Sequence, residues 1–249
     1  MSMLPLNLPH DIRHKHLDEC KSTMEEAASV ATAANVAHLI TTDFQDSGRG
    51  QRGNHWESER GKNLLFSLVF APDMEAARQF RLSQAAALSI VATLRPYCPG
   101  ALTIKWPNDI YYGDCKLAGM LLEHELQGSR ILRTTLGIGL NVNQDGFHSD
   151  APNPISLRQI VGHELPRQAI LEDFLAQWES YLSKALSSES LQEEYKEVLY
   201  RRKGLHAYRD AMGEFRAQFD DILSDGHLRL RLENGDIRTY AFKEVAYII

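Results

Sequence analysis

Cysteine is scarce in this chain of 249 residues. Cys20, Cys98 and Cys115 form an odd set without C-x-x-C spacing, which indicates neither a disulfide framework nor a zinc ribbon. Long apolar runs are missing too, and nothing approaches the roughly 18 consecutive apolar residues of a membrane span. The opening "MSMLPLNLPHDIRHKH" lacks the apolar core of a signal peptide. These absences predict a cytoplasmic protein with no membrane partner. Positive charge is not in excess: 27 Lys and Arg face 33 Asp and Glu, for a net charge of −6. General nucleic-acid binding rests on cationic neutralisation of phosphates, so any phosphate site here must be a local concentration of basic groups. A helix-turn-helix needs two helices and a recognition surface. The Pro- and His-rich stretch before Ser22 offers no room for one, and no DNA partner is expected.

What is present suits one large domain plus a small one. After "KST", an N-cap signal, the Ala- and Glu-rich "MEEAASVATAAN" predicts a helix from near Ser22 to Asn35. "VAHLITTDF" and "NLLFSLVFA" read as strands, and "QFRLSQAAALSIVATL" as a core helix stopped by Pro96. "ALTIKW", "NDIYYG", "KLAGMLLEHEL" and "RILRTTLGIGLNV" give four more strands, then two amphipathic helices cover about 167–186 and 190–202. After Gly204 the pattern changes to short alternating runs separated by "DG" and "NGD", strong hairpin signals. The reading is α+β: a mixed sheet with helices packed on one side over 1–203, and a small all-β module over 204–249. The module is too small to bury much core alone and is expected to dock on the rest.

Chemistry concentrates in three stretches. "GRGQRG", with Gly48, Gly50 and Gly53, fits the dinucleotide-binding G-x-G-x-x-G spacing. A Rossmann turn requires a helix opening at the last glycine, yet "NHWESERGKN" has no helical period and leads into a strand. A P-loop fails as well, because Asn63 follows Gly61-Lys62 and Trp56 stands where the first glycine belongs. What remains is a long polar connection carrying glycines, Arg49, Arg52, Arg60, Lys62 and Trp56, longer than ordinary hairpin loops. A solvated surface hairpin is the bland alternative. Its few apolar residues also predict that 48–61 is mobile until an anion gives the arginines a partner.

In "KWPNDIYYGDCKLAG", Pro107 breaks a strand where side chains converge, bringing Asn108 and Asp109 there. A hairpin turning near Gly113 would return Lys116 beside Asp109, and Gly119 permits close approach of a ligand. "GIGLNVN" places two glycines close to Asn141 and Asn143. Taken alone, each stretch is compatible with a plain hairpin.

Together and in this order, "KST", "GRGQRGNHWES", "KWPNDIYYGDCKLAG" and "GIGLNVN" closely resemble biotin protein ligase, in its short form without an N-terminal DNA-binding domain. The resemblance implies a catalytic domain like that of class II aminoacyl-tRNA synthetases and a C-terminal SH3-like β-barrel. It also implies use of ATP and Mg2+ to turn biotin into biotinyl-5′-AMP, then transfer to a lysine of a biotin carboxyl carrier protein. Carried over to matching positions, Arg49, Lys116 and Asp109 are the catalytic set. Ser22, Thr23, Gln45, Gly48, Arg49, Lys116 and Gly119 bind biotin. Arg49, Arg52, Trp56, Asn108, Lys116 and Asn141 bind the nucleotide, with Trp56 on adenine. Asp109 serves magnesium carried by the nucleotide, or orients the lysine. Relatives carry arginine where this chain has Gln51 and Asn54, so it is short of two cations. A ligase-repressor, a lipoate or octanoate transferase, and a non-catalytic biotin-binding protein are the rival readings. Monomer and homodimer both remain open.

His14 and His16 alternate along an expected strand without a cysteine partner and read as a solvated face.

Overall fold

The computed structural model describes residues 11–32, 36–50, 55–100, 102–148 and 153–249. Arg52, Gln51 and Asn54 lie outside these residues. The chain begins with β1 (Asp11–Leu17), α1 (Thr23–Ala28), β2 (Val36–Thr42) and β3 (Leu64–Phe70). The two-residue β4 (Met74–Glu75) and α2 (Phe80–Leu94) follow. Next come β5 (Leu102–Lys105), β6 (Asp109–Tyr112), β7 (Cys115–Gln127) and β8 (Arg130–Leu140). Three helices succeed them, α3 (Leu157–Val161), α4 (Arg167–Leu186) and α5 (Gln192–Glu197).

The strands form one mixed sheet in the order β1-β2-β3-β8-β7-β6-β5, with β4 paired to β8. Only β1 and β2 run parallel; the other pairs are antiparallel. Every residue of β3 is buried, as its near-continuous apolar run requires of a strand covered on both faces. Its alternation shows by what. Phe66 and Phe70 meet Phe174 and Trp178 of α4, with ring centroids 5.2 and 5.5 Å apart. Ser67 and Val69 point the other way, against Thr23 and Ala27 of α1. The helices therefore do not all lie on one side: α2 and α4 cover one face, and α1 sits on the other. Ser22 caps α1, its side chain accepting from the Met24 N–H at 3.3 Å. No helix among the described residues is long and apolar enough to cross a membrane.

The last residues form a second sheet from β9 (His206–Asp210), β10 (Gly213–Ile222), β11 (Leu228–Leu232), β12 (Ile237–Tyr240) and β13 (Ala246–Tyr247). Its order is β12-β11-β10-β9-β13, and the two ends are not joined. The expected SH3-like β-barrel is thus not closed. The reason lies in the linking residues 241–245. Phe242 turns toward the larger sheet, edge-on to Trp106 at 5.3 Å while staying 39% exposed, and β13 is only two residues long, paired with β9. Neither is left to bridge to β12. The open sheet docks instead: Trp106 donates through Nε1 to the Gly226 carbonyl at 2.9 Å. Tyr208, Leu228 and Leu230 belong to the same apolar cluster as Phe66 and Ile104.

Candidate active site

The β6–β7 hairpin turns at Gly113, whose φ of +56° suits glycine. A register shift between Ile110 and Tyr111 follows, and the return strand brings Lys116 to Asp109, Nζ to Oδ1 at 2.7 Å. Their side chains are 23% and 16% exposed, so the pair is far better shielded than a surface bridge. Lys105 stands opposite Asp109 on β5. Burial pushes its ammonium pKa down, opposed in part by the Asp109 carboxylate and reinforced by Lys116. Asn108 is locked to β7: its Nδ2 donates to the Met120 carbonyl, and its own carbonyl accepts from the Met120 N–H at 2.9 Å.

The opposite wall comes from α1 and the loop after β2. The Thr23 N–H donates to Gln45 Oε1 at 2.7 Å, and Ser67 Oγ donates to Thr23 Oγ1 at 2.9 Å. Ser22 and Thr23 are almost fully buried. The neck of the glycine loop is closed by the Trp56 N–H donating to the Gly48 carbonyl at 2.9 Å. A side chain on Gly48 would put its Cβ 2.6 Å from the Trp56 carbonyl oxygen. Past the neck, the loop is stitched down rather than loose. Asn63 and the Glu59 N–H donate to Gln144 Oε1, Ser58 is buried, and the Gly61 N–H donates to the Asp43 carbonyl. Over residues 55–61, side-chain and backbone hydrogen bonds thus stand in for the missing apolar contacts. Arg49 reaches across to Glu123 of β7 at 3.0 Å, half exposed.

The floor is cut from the sheet by glycine. Gly137 and Gly139 lie on the face that carries α1, and Gly119 pairs with Gly139. Trp56 rests in the hollow they leave. Its Nε1 is buried without a partner, and Lys116 Nζ stands 5.6 Å from its ring centre. These walls enclose a cavity of about 150 Å3. Nine of the expected residues line it: Ser22, Thr23, Gln45, Arg49, Trp56, Asn108, Asp109, Lys116 and Gly119. Gly48 stands behind Trp56 instead. Asn141 is not in the lining: its Nδ2 donates to the Ile155 carbonyl at 3.1 Å, fastening the segment before α3.

Several lining residues were not anticipated, among them Met24, His55, Ile138 and Lys243. His55 sits inside the glycine loop and pairs with Arg49; Lys243 arrives from the C-terminal sheet with no local signal. Arg49, Lys116 and Lys243 against Asp109, the one carboxylate among the described lining residues, make the cavity receptive to anions. Outside it, His16, Asp18 and Asp43 approach one another on the exposed end of β1 and β2.

The sequence profile of the biotin/lipoate A/B protein ligase family matches residues 19–141. Biotin--[acetyl-CoA-carboxylase] ligase of Paracoccus denitrificans is 32% identical over 170 residues, covering 65% of this chain and 70% of that protein. The bifunctional ligase/repressor BirA of Bacillus subtilis is 30% identical over 171 residues, which are 67% of this chain and 51% of the relative. This chain therefore spans only about half the length of that relative. Among solved structures, a biotin protein ligase from Aquifex aeolicus in complex with biotin and ATP is similar in fold. Its TM-score is 0.77, with 24% identity over 94% of this chain and 97% of that one. The chain belongs to the biotin protein ligase family.

Proposed function

We propose that this protein activates biotin with ATP to biotinyl-5′-AMP and passes biotin to a lysine of a biotin carboxyl carrier protein. The observation that carries the reading is the opposition of two walls across one glycine-cut floor. On one side stand the buried polar groups of Ser22, Thr23 and Gln45, suited to the neutral ureido ring. On the other stand Lys116, held by Asp109, and Arg49. In the first step a carboxylate oxygen attacks the α-phosphorus, and the bond to the β-phosphate breaks to release pyrophosphate. Both reactants are anionic, so fixed cations must offset the repulsion and the charge of the transition state. Lys116 and Arg49 take that role, and Asp109 fixes the lysine. In the second step a neutral lysine amine attacks the acyl carbon, AMP leaves, and the amine proton passes to water.

Asp109 is the only carboxylate among the described lining residues and is already engaged by Lys116. It does not make a protein-held magnesium site. Magnesium would arrive on the phosphates of its nucleotide, as is common for this ion. The cavity, at about 150 Å3, is smaller than the roughly 300–1,000 Å3 of ordinary ligand pockets. An adenylate therefore enters by displacing Trp56 from its hollow and Arg49 from Glu123. Residues 1–203 would form the catalytic unit and 204–249 a C-terminal unit, in the cytoplasm.

The test is pyrophosphate release with biotin, ATP and magnesium, followed by avidin blotting of a carrier domain. Release that requires both biotin and ATP is expected; equal turnover with lipoate and none with biotin would reject the substrate. Glu123→Gln frees Arg49 from an exposed pair worth about 0–1 kcal/mol. Calorimetric titration should find biotin binding up to about fivefold tighter, with little change in melting temperature.

A further inference from the structure

Asp109 sets an electrical problem for the site it belongs to. It stands 2.7 Å from Lys116 Nζ in a mostly shielded pair, where one carboxylate cancels much of the charge an anion would meet. The sheet answers with a second ammonium. Lys105, the last residue of β5, is paired with Asp109, the first of β6, across the turn that holds Trp106, Pro107 and Asn108. Directly opposed residues of an antiparallel pair share a face, with Cβ atoms about 4.5–5.5 Å apart. Of the charged groups that bear on the Lys105 ammonium, Asp109 attracts it, while Lys116 and Arg201 repel it.

How Lys105 is held matters as much as where. Its Nζ stands 5.1 Å from the ring centres of both Tyr111 and Tyr247. Tyr111 lies two residues beyond Asp109 on β6, its diagonal neighbour across the pair. Ring faces attract a cation through their quadrupole and bring no charge to neutralise it, so the Lys105 ammonium keeps its charge for Asp109. The Arg201 guanidinium is occupied elsewhere, donating to the Ala207 and Ile248 carbonyls at 3.3 and 2.8 Å. Among the described residues, Lys116 and Asp109 line the cavity and Lys105 does not. Two ammoniums against one carboxylate leave one net positive charge, and Lys116 is the group that carries it to the cavity. We propose that Lys105 is a positioning residue for the adenylation step: by sharing Asp109, it lets that carboxylate orient Lys116 without cancelling its charge. This rests on the ligase reading above.

Lys105→Met should lower kcat for pyrophosphate release roughly tenfold, less than the loss of a donor in direct contact, because its charge acts across a neighbour. KM for biotin should move less than about threefold. Lys105→Arg keeps the charge and stacks on the same rings, and should stay within about threefold of the parental rate. Its pH profile gives a second reading. Burial lowers the Lys105 pKa, so the parental rate should start to fall with rising pH as this ammonium loses its proton. An arginine stays charged, and in Lys105→Arg that fall should move to higher pH. In an Asp109→Asn background there is no carboxylate to balance, and Lys105→Met should cost less than about threefold. A lysine needed only for the packing of its stem would cost the same in both backgrounds. Calorimetric binding of inorganic pyrophosphate reads the charge of the cavity without turnover, and should weaken about fivefold in Lys105→Met. A parental protein that binds pyrophosphate but releases none from ATP and biotin would reject the ligase reading and still leave Lys105 measurable. Equal costs of Lys105→Met in the two backgrounds, or an alkaline limb of Lys105→Arg that coincides with the parental one, would overturn the proposal.

Discussion

Lys116→Met is expected to fold normally and to lose roughly 100–1,000-fold in biotin-dependent pyrophosphate release. The figure follows from removing one preorganised donor to a developing anion, which costs about 2.7–4 kcal/mol. The geometry supports the upper part of that range. The ammonium is mostly buried, fixed by Asp109 at 2.7 Å and placed over the Trp56 ring, so it needs no reorganisation when charge develops. Met keeps much of the stem volume but leaves Asp109 without its partner, which adds a repulsive carboxylate to the loss. Lys62→Met is the control. Lys62 pairs with exposed Glu164 outside the cavity, and its screened charge should matter by less than about tenfold. Steady-state pyrophosphate release with melting curves checks both. A folded Lys116→Met enzyme working near the parental rate would remove this lysine from the mechanism.

Gly139→Ala is expected to weaken biotin binding severely, while Gly137→Ala is tolerated. A Cβ on Gly139 would lie 2.7 Å from Trp56 Nε1 and 2.8 Å from its Cδ2. The indole is rigid and its backbone is tied to Gly48, so the ring is forced from its seat, and the added methyl narrows the floor that a ligand occupies once the ring has moved. Overpacking of this kind costs about 1–3 kcal/mol, or roughly 5–150-fold in affinity. A Cβ on Gly137 meets Met24 Sδ at 2.5 Å and Cγ at 2.8 Å, a clash nearly as close as that of the Gly139 Cβ with the indole Cε2. Its neighbour, however, is an unbranched thioether chain that can change rotamer, and less than about fivefold is expected. Titration calorimetry of both variants distinguishes them; equal losses would mean that Trp56 is no more constrained than Met24.

The parts of the site that were legible in the sequence are those made by short-range chain geometry. Asp109 and Lys116 meet because a strand, a glycine turn and a return strand leave them little choice, and that pattern is written within "NDIYYGDCK". The long amphipathic helix was equally plain, observed as α4 over Arg167–Leu186. Elements made by tertiary contact were not. β4 is two residues held by β8, and α3 is five residues that depend on the reciprocal cap of Ser156 and Gln159. The helix expected to Asn35 ends at Ala28, because composition marks helix-forming residues but not where tertiary contacts stop supporting them. Asn141 follows the glycine pair, but its amide is hydrogen-bonded to the chain before α3, a tertiary contact that no local pattern announces. The barrel misled for a related reason, since alternation and turns specify hairpins but not whether the two outer strands find each other. Lys243 could not be found at all by local pattern, because only docking brings it to the cavity.

The seat of Trp56 also gives the molecule an optical signature. The chain has three tryptophans. Trp106 and Trp178 are buried, at 2% and 4% exposure, among apolar side chains. They contribute an emission that has no reason to respond to the cavity's contents. Trp56 alone lies against the sheet floor with an ammonium beside its ring and its own N–H unsatisfied. Any occupant that draws Lys116 away, or moves the indole off the glycines, changes the field and the polarity this one fluorophore experiences. The same ring that fills the hollow thereby reports, without a label, when something else has taken its place.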